Sequence, residues 1–103
     1  MSTTYLRMYQ TAVDPADLNA VRRLFADDVL PAYQGFAGCR SIELVLGVDH
    51  HPGGLLECAT ISRWEHLDAM AEAMESRAAK EAQVRIFALL RQEPLVRVFE
   101  VLA

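Results

Sequence analysis

Arg7 and Tyr9 stand two residues apart in the run Tyr5-Leu6-Arg7-Met8-Tyr9-Gln10-Thr11, and Glu43 lies in a second alternating run, Ser41-Ile42-Glu43-Leu44-Val45. A strand puts residues i and i+2 on one face, so Arg7 and Tyr9 would offer a cation and a phenol side by side, with Glu43 on the next strand. Such a trio can handle an anion. The guanidinium balances its charge, the phenol donates a hydrogen bond, and the carboxylate takes a proton if burial raises its pKa. The plainer alternative is an ion pair between Arg7 and Glu43 across the sheet, because charges on a covered face need partners.

Other chemistry-bearing residues are less well placed. His50 and His51 are adjacent on a Pro52-Gly53-Gly54 turn and cannot readily converge on one ion; His66 is the only other histidine. No cysteine falls at zinc-site spacing, so a solvated turn and no bound metal are expected. Cys39 and Cys58 form no CxxC pair and read as structural thiols of a reducing compartment. Met8, Met70 and Met74 read as filler. No nucleophile elbow, phosphate loop or dinucleotide fingerprint is present.

The elements that must hold these side chains follow from periodicity. An alternating strand is expected over 5–13. Asp14-Pro15-Ala16-Asp17 then has the form of a helix start: a capping carboxylate, proline at the first helical position, and an acid at the positive end of the dipole. Leu18, Val21, Leu24, Phe25, Val29 and Tyr33 continue as one apolar stripe, disturbed near Pro31 and ended by Gly35. A strand over 39–46 and another over 55–63 flank the turn-rich segment 47–54 as a hairpin. Helical spacing resumes over 66–91, as one bent helix or two short ones, and Glu93-Pro94 stops it. A fourth strand covers 95–102.

The order is therefore strand, helix, strand, strand, helix, strand. It predicts a single α+β domain over 1–103, a ferredoxin-like four-stranded antiparallel sheet with helices on one face. At 103 residues the chain suits one modest core. Apolar residues make up 52% and charged residues 23%, which is globular rather than disordered. The net charge of −4, with scattered basic residues, offers no stripe for nucleic acid. No apolar run approaches the roughly 18 residues needed to cross a bilayer. The start, Met1-Ser2-Thr3-Thr4-Tyr5, has no leader-like pattern, so a cytoplasmic protein is expected. Tyr5, Arg7, Tyr9, Glu43 and Val45 are expected on the sheet face the helices leave bare. Exposed aromatic surface there would favour a homodimer joined by sheet faces.

Three short signatures add to this pattern: Val13-Asp14-Pro15 closing the first strand, Gly35-Phe36-Ala37-Gly38 after the first helix, and Arg63-Trp64-Glu65 at the turn from the third strand into the next helix. In this order and spacing the chain resembles the ABM (antibiotic biosynthesis monooxygenase-like) family over nearly its whole length. The resemblance implies a dimeric α/β barrel enclosing a cavity on the bare sheet face. It also implies a cofactor-independent monooxygenase that oxidises a small aromatic or polyketide-type phenol, anthrone or quinol with O2. Arg7, Tyr9 and Glu43 would then be catalytic, with Tyr5, Tyr33, Trp64 and Arg97 around a small aromatic ligand; Trp64 matches a family position that more often fills the core. Haem degradation, known in the same family, is disfavoured: Arg7 stands where an Asn is expected, no second Trp follows Trp64, and no His follows His66. A non-catalytic binding or dimerisation module, or an isomerase or lyase, remains open on the same fold.

Overall fold

A computed structural model describes residues 3–103; Met1 and Ser2, part of the start read for a leader, lie outside the described residues. The strands are β1 (Thr4–Val13), β2 (Cys39–Leu46), β3 (Leu56–Trp64) and β4 (Leu95–Val101). All neighbours pair antiparallel in the order β2-β3-β1-β4, the ferredoxin-like arrangement expected from the element order. A short turn of 3₁₀ helix, Pro52–Gly54, lies in the β2–β3 connection.

The first helical region begins where Asp14 predicts. Its carboxylate accepts the Ala16 N–H at 2.9 Å, and Pro15 opens a 3₁₀ turn that leads into α1 (Leu18–Leu24). A π-helical segment, Phe25–Val29, separates α1 from α2 (Leu30–Gln34), and the Leu30 N–H reaches back to the Phe25 carbonyl. Proline has no N–H, and in an unbroken α-helix its ring meets the carbonyl four residues back. A widened turn just ahead of Pro31 removes that conflict, so the disturbance falls upstream of the proline.

Gly35 caps α2 in a right-handed conformation, with φ −86°. The left-handed residue is Gly38, at φ +80°, where a Cβ would lie 2.9 Å from the Ala69 Cβ. Gly38 also accepts the Glu65 N–H at 2.8 Å, which ties the turn before β2 to the end of β3. Gly38→Ala should destabilise by about 1–2 kcal/mol for the backbone alone, with overpacking against Ala69 added. Gly53 has φ +60° and open space around it, so Gly53→Ala should lose the backbone part only. Thermal melts should show the larger fall for Gly38→Ala; equal falls would refute the close-packing argument.

Between residues 66 and 91 the chain forms two helices, α3 (Leu67–Met74) and α4 (Arg77–Phe87), which settles the choice left open by periodicity. Ser76 makes the break. Its backbone is extended, its Oγ accepts the Ala79 N–H at 3.2 Å, and its hydroxyl donates to the Ala73 carbonyl. Among the described residues no helix is long and apolar enough to cross a membrane.

Two apolar clusters anchor the helices to one face of the sheet. One gathers Val29, Tyr33, Ile42, Trp64, Met70, Ala73 and Ala82; the other gathers Val13, Val21 and Cys58. Trp64 is fully buried, its ring stacked on Phe36 at 6.3 Å and edge-on to Tyr33 at 6.1 Å. Its indole N–H donates to the Ser62 Oγ at 2.8 Å, leaving no polar atom of the ring unpaired.

Strand register assigns the faces. Arg7 pairs with Ser62 on one side and Val98 on the other, and Tyr9 pairs with Thr60 and Val96. These residues share the helix-covered face. The bare face carries Leu6, Met8, Ala59, Ile61, Val45, Leu95 and Phe99. This reverses the expected parity of β1: Tyr5, Arg7 and Tyr9 point under the helices, and the uncovered side shows Leu6 and Met8 beside Glu43 and Arg97.

Candidate functional site

A cavity lies between the sheet and the helices, in the gap separating the two apolar clusters. It therefore belongs to a single chain and sits on the helix side of the sheet. It is distinct from the cavity expected between the bare sheet faces of a dimer. Its floor is the odd-numbered side of β1, Arg7, Tyr9, Thr11 and Val13, with Leu44, Cys58 and Thr60 from the adjacent strands. Its roof is Val21, Phe25, Val29 and Tyr33 from the first helical region, and Ala79, Ala82, Gln83 and Ile86 from α4. The π segment shapes the cavity here, since its widened turn carries Phe25 and Val29 into the lining.

The far end is sewn shut. The Thr11 hydroxyl donates to the Gln92 carbonyl at 2.8 Å, the Arg91 N–H donates to the Ala12 carbonyl at 2.9 Å, and Leu90 bridges to Val13. The segment after α4 is thereby fixed to the end of β1. Over the top, α4 is held to the first helical region by Arg85–Asp28 at 2.8 Å, and the segment after it by Arg91–Asp17 at 3.4 Å. Both pairs are largely solvated, and such pairs contribute little individually. The open space is about 50 Å³. Benzene occupies an engineered apolar cavity of about 150 Å³, so an aromatic ligand requires this roof to move. The α4 part of that roof starts at the Ser76 break and is held to the first helical region by the exposed Arg85–Asp28 pair.

Arg7 is the decisive side chain. It is 8% exposed, and no carboxylate among the described residues lies within ion-pair distance of it. Its guanidinium carbon lies 5.7 Å from the centre of the Tyr9 ring, a cation–π contact. A buried cation without a counter-charge is costly, and its open side faces the cavity. Tyr9 and Tyr33 flank it. Burial pushes both phenols up from their ordinary 10.0, with the Arg7 charge opposing the rise. Both are therefore neutral at pH 7 and act as hydrogen-bond donors rather than bases; the Tyr33 hydroxyl points toward the Met74 sulfur at 3.6 Å.

These shifts predict an alkaline weakness. Below pH 10 both phenols are protonated in the folded and unfolded chain alike, and the fold keeps its full stability. Above pH 10 the unfolded chain releases protons that the folded chain retains, so stability should fall as pH rises toward the raised pKa values. Urea midpoints at pH 8 and pH 10.5 should show that loss, and Tyr9→Phe should reduce it. A midpoint unchanged over this range would contradict the assigned burial of the phenols.

The other expected site residues are dispersed. Glu43 pairs with Ile61, which pairs with Met8, so it shares the bare face with Met8 and is exposed to solvent. The register rules out both an Arg7–Glu43 ion pair and joint action of the two within one chain. Arg97 pairs with Met8, also on the bare face, and packs on Phe99 at 5.6 Å. Tyr5 faces the helix side but packs beside the Trp64 cluster, away from the cavity lining, and Trp64 itself is core. Arg7, Tyr9 and Tyr33 are thus brought together, while Tyr5, Glu43, Trp64 and Arg97 are not. Gln83 and Thr60 are lining residues that the sequence reading passed over. Gln83 held a signal, because it interrupts the apolar stripe Ala79, Ala82, Ile86, Leu90. No carboxylate or histidine lines the cavity.

Solved structures with the same fold span this entire architecture. Rv0793 from Mycobacterium tuberculosis aligns with a TM-score of 0.76 at 23% identity, over 97% of this chain and 96% of that one. An antibiotic biosynthesis monooxygenase aligns at 0.74 with 17% identity, over 96% and 99%. NE2512 from Nitrosomonas europaea, a protein of unknown function, aligns at 0.77 with 13% identity, over 99% and 92%. No protein-family model matches the sequence, and no curated protein matches it significantly. The fold is thus the ABM-type α+β fold, and at these identities the likeness establishes fold and not activity.

Proposed function

We propose that the cavity binds a small aromatic phenol, enol or anthrone-type compound as its anion and presents it to O2, so that the protein works as a cofactor-independent monooxygenase. The observation that carries this reading is Arg7, a buried cation without a carboxylate partner in a mostly apolar chamber, beside two neutral phenols. Such a site lacks a counter-charge and favours a ligand that brings one. Arg7 lowers the pKa of a bound acid by stabilising its conjugate base, and Tyr9 and Tyr33 donate hydrogen bonds to the anionic oxygen. With no carboxylate or histidine in the lining, the proton leaves to water as the ligand enters. The electron-rich ring then reduces O2 directly. For an anthrone-type CH2 the four electrons released in forming C=O match those taken up by O2, one oxygen atom entering the product and the other leaving as water.

Glu43 takes no part in this account. The bare sheet face carrying Phe99, Leu95 and Val45 would be covered in a homodimer, and the cavity is complete without the partner. The second reading, a binding module with no catalysis, is favoured by the small volume and the missing base. Oxygen-electrode traces with anthrones, naphthols and quinols separate the two. Uptake should be protein-dependent, abolished in Arg7→Ala and retained in Glu43→Gln. Ligand binding without uptake across the panel would leave the binding module.

A further inference from the structure

Gln83 presents the one side-chain amide in the cavity lining. It projects from α4, between Ala79, Ala82 and Ile86, while Arg7 and Tyr9 rise from the sheet on the opposite wall. Its amide makes no hydrogen bond to any described residue, like the Tyr9 and Thr60 hydroxyls in the same lining, whereas the Thr11 hydroxyl donates to the Gln92 carbonyl and the Tyr33 hydroxyl approaches the Met74 sulfur. The small alanines beside it leave its end accessible from the cavity. Every other α4 residue in the lining is apolar, so a bound ring would otherwise meet only hydrocarbon on this side.

We propose that Gln83 is the specificity determinant of the cavity, selecting aromatic anions that carry a second oxygen on the edge remote from the charged one. The proposal rests on the anion-binding reading of Arg7. Arg7 and Tyr9 hold the anionic oxygen at the floor, and the Gln83 amide meets a carbonyl or hydroxyl at the roof. An amide carries both donors and an acceptor, so it serves a ketone or a hydroxyl equally well. A ligand with a hydrocarbon edge there leaves the amide unpaired as α4 closes over it. The contact also ties the moving wall to the ligand, so the second oxygen favours closure.

Two probes that are both anions at neutral pH test this: 1-naphthoate, whose remote edge is hydrocarbon, and 5-hydroxy-1-naphthoate, which has a hydroxyl there. Calorimetric titration should show tighter binding of the hydroxy compound by the native protein. Gln83→Met, which keeps the length and removes the amide, should weaken the hydroxy compound about tenfold, the value of one buried hydrogen bond, and leave 1-naphthoate within about twofold. Gln83→Glu should weaken both through charge repulsion, a result that requires the side chain to face the anion. Equal losses for both probes in Gln83→Met would mark a packing residue, and no loss for either would mark a solvated one; both outcomes overturn the proposal. Failure of both probes to bind the native protein would overturn the Arg7 reading as well. Circular dichroism of the variants verifies the helix, whose interior tolerates methionine and glutamate well.

Discussion

Arg7→Met should make the protein more stable and functionally empty. The methionine replaces a buried, unpaired cation with an unbranched apolar chain of similar reach in a chamber that is otherwise mostly apolar. Exchanging buried charge for packed hydrophobic side chains stabilises by about 1–4 kcal/mol where it has been measured. For a domain of this size about 1 kcal/mol corresponds to roughly 4–8 °C in melting temperature. The same change should reduce affinity for 1-naphthoate by about thirtyfold or more, since a truncated partner of a buried charge pair typically costs about 2–5 kcal/mol in binding. The opposite signs are the diagnostic. A structural arginine would lower stability when removed, whereas one kept for a ligand imposes a cost on the empty fold. Melting curves and titrations on the same samples read both effects.

Trp64→Ala should have the largest effect on the fold itself. Its side chain is fully buried, pairs with Tyr33 and Phe36, and donates to Ser62. Truncating a buried Trp costs about 3–5 kcal/mol, and the Ser62 hydroxyl loses its partner in addition. Domains are stable by only about 5–15 kcal/mol, so the variant should be largely unfolded at 37 °C or lose cooperative melting. Trp64→Phe keeps most of the packing and should fold with a clear but smaller loss. Neither result depends on a ligand. If Trp64→Ala melted like the native chain, the assignment of this residue to the core would be wrong.

The order of elements was legible because its signals are local. Asp14-Pro15, the alternation of β2 and Pro94 each act within a few residues; the strands fall within one residue of expectation, and the last helix ends at Phe87, short of the expected 91. Ser76 was legible in principle, being a capping residue inside a helical stretch. The facing of β1 was not. Arg7 and Tyr9 are polar, and Leu6 and Met8 apolar, so burial alone would send the polar pair outward. The structure does the reverse because both sides of this sheet are mixed: the helices cover a cavity that holds polar groups, and the bare face sets Leu6, Met8, Ile61 and Phe99 among Glu43, Arg63 and Arg97. Glu43 lies on the bare face as expected, and its separation from Arg7 follows from the reversed facing of β1. The cavity also escaped notice. Periodicity marks Ala79, Ala82 and Ile86 as an inward stripe, but it carries no information about the distance to the opposite wall.

The central claim is that Arg7 prevails over the apolar lining and makes this cavity a place where a phenol becomes an anion. Burial alone raises phenol pKa values, as it does for Tyr9 and Tyr33, so the two effects predict opposite outcomes for a guest. Spectrophotometric titration of 1-naphthol, free and bound, decides between them, because the naphtholate absorbs at longer wavelength than the naphthol. The bound compound should ionise at least about one pH unit below the free one, as neighbouring cations do for acids, and Arg7→Met should abolish that shift. A bound naphthol that ionises above the free one would contradict the account and leave the cavity an apolar chamber without chemistry.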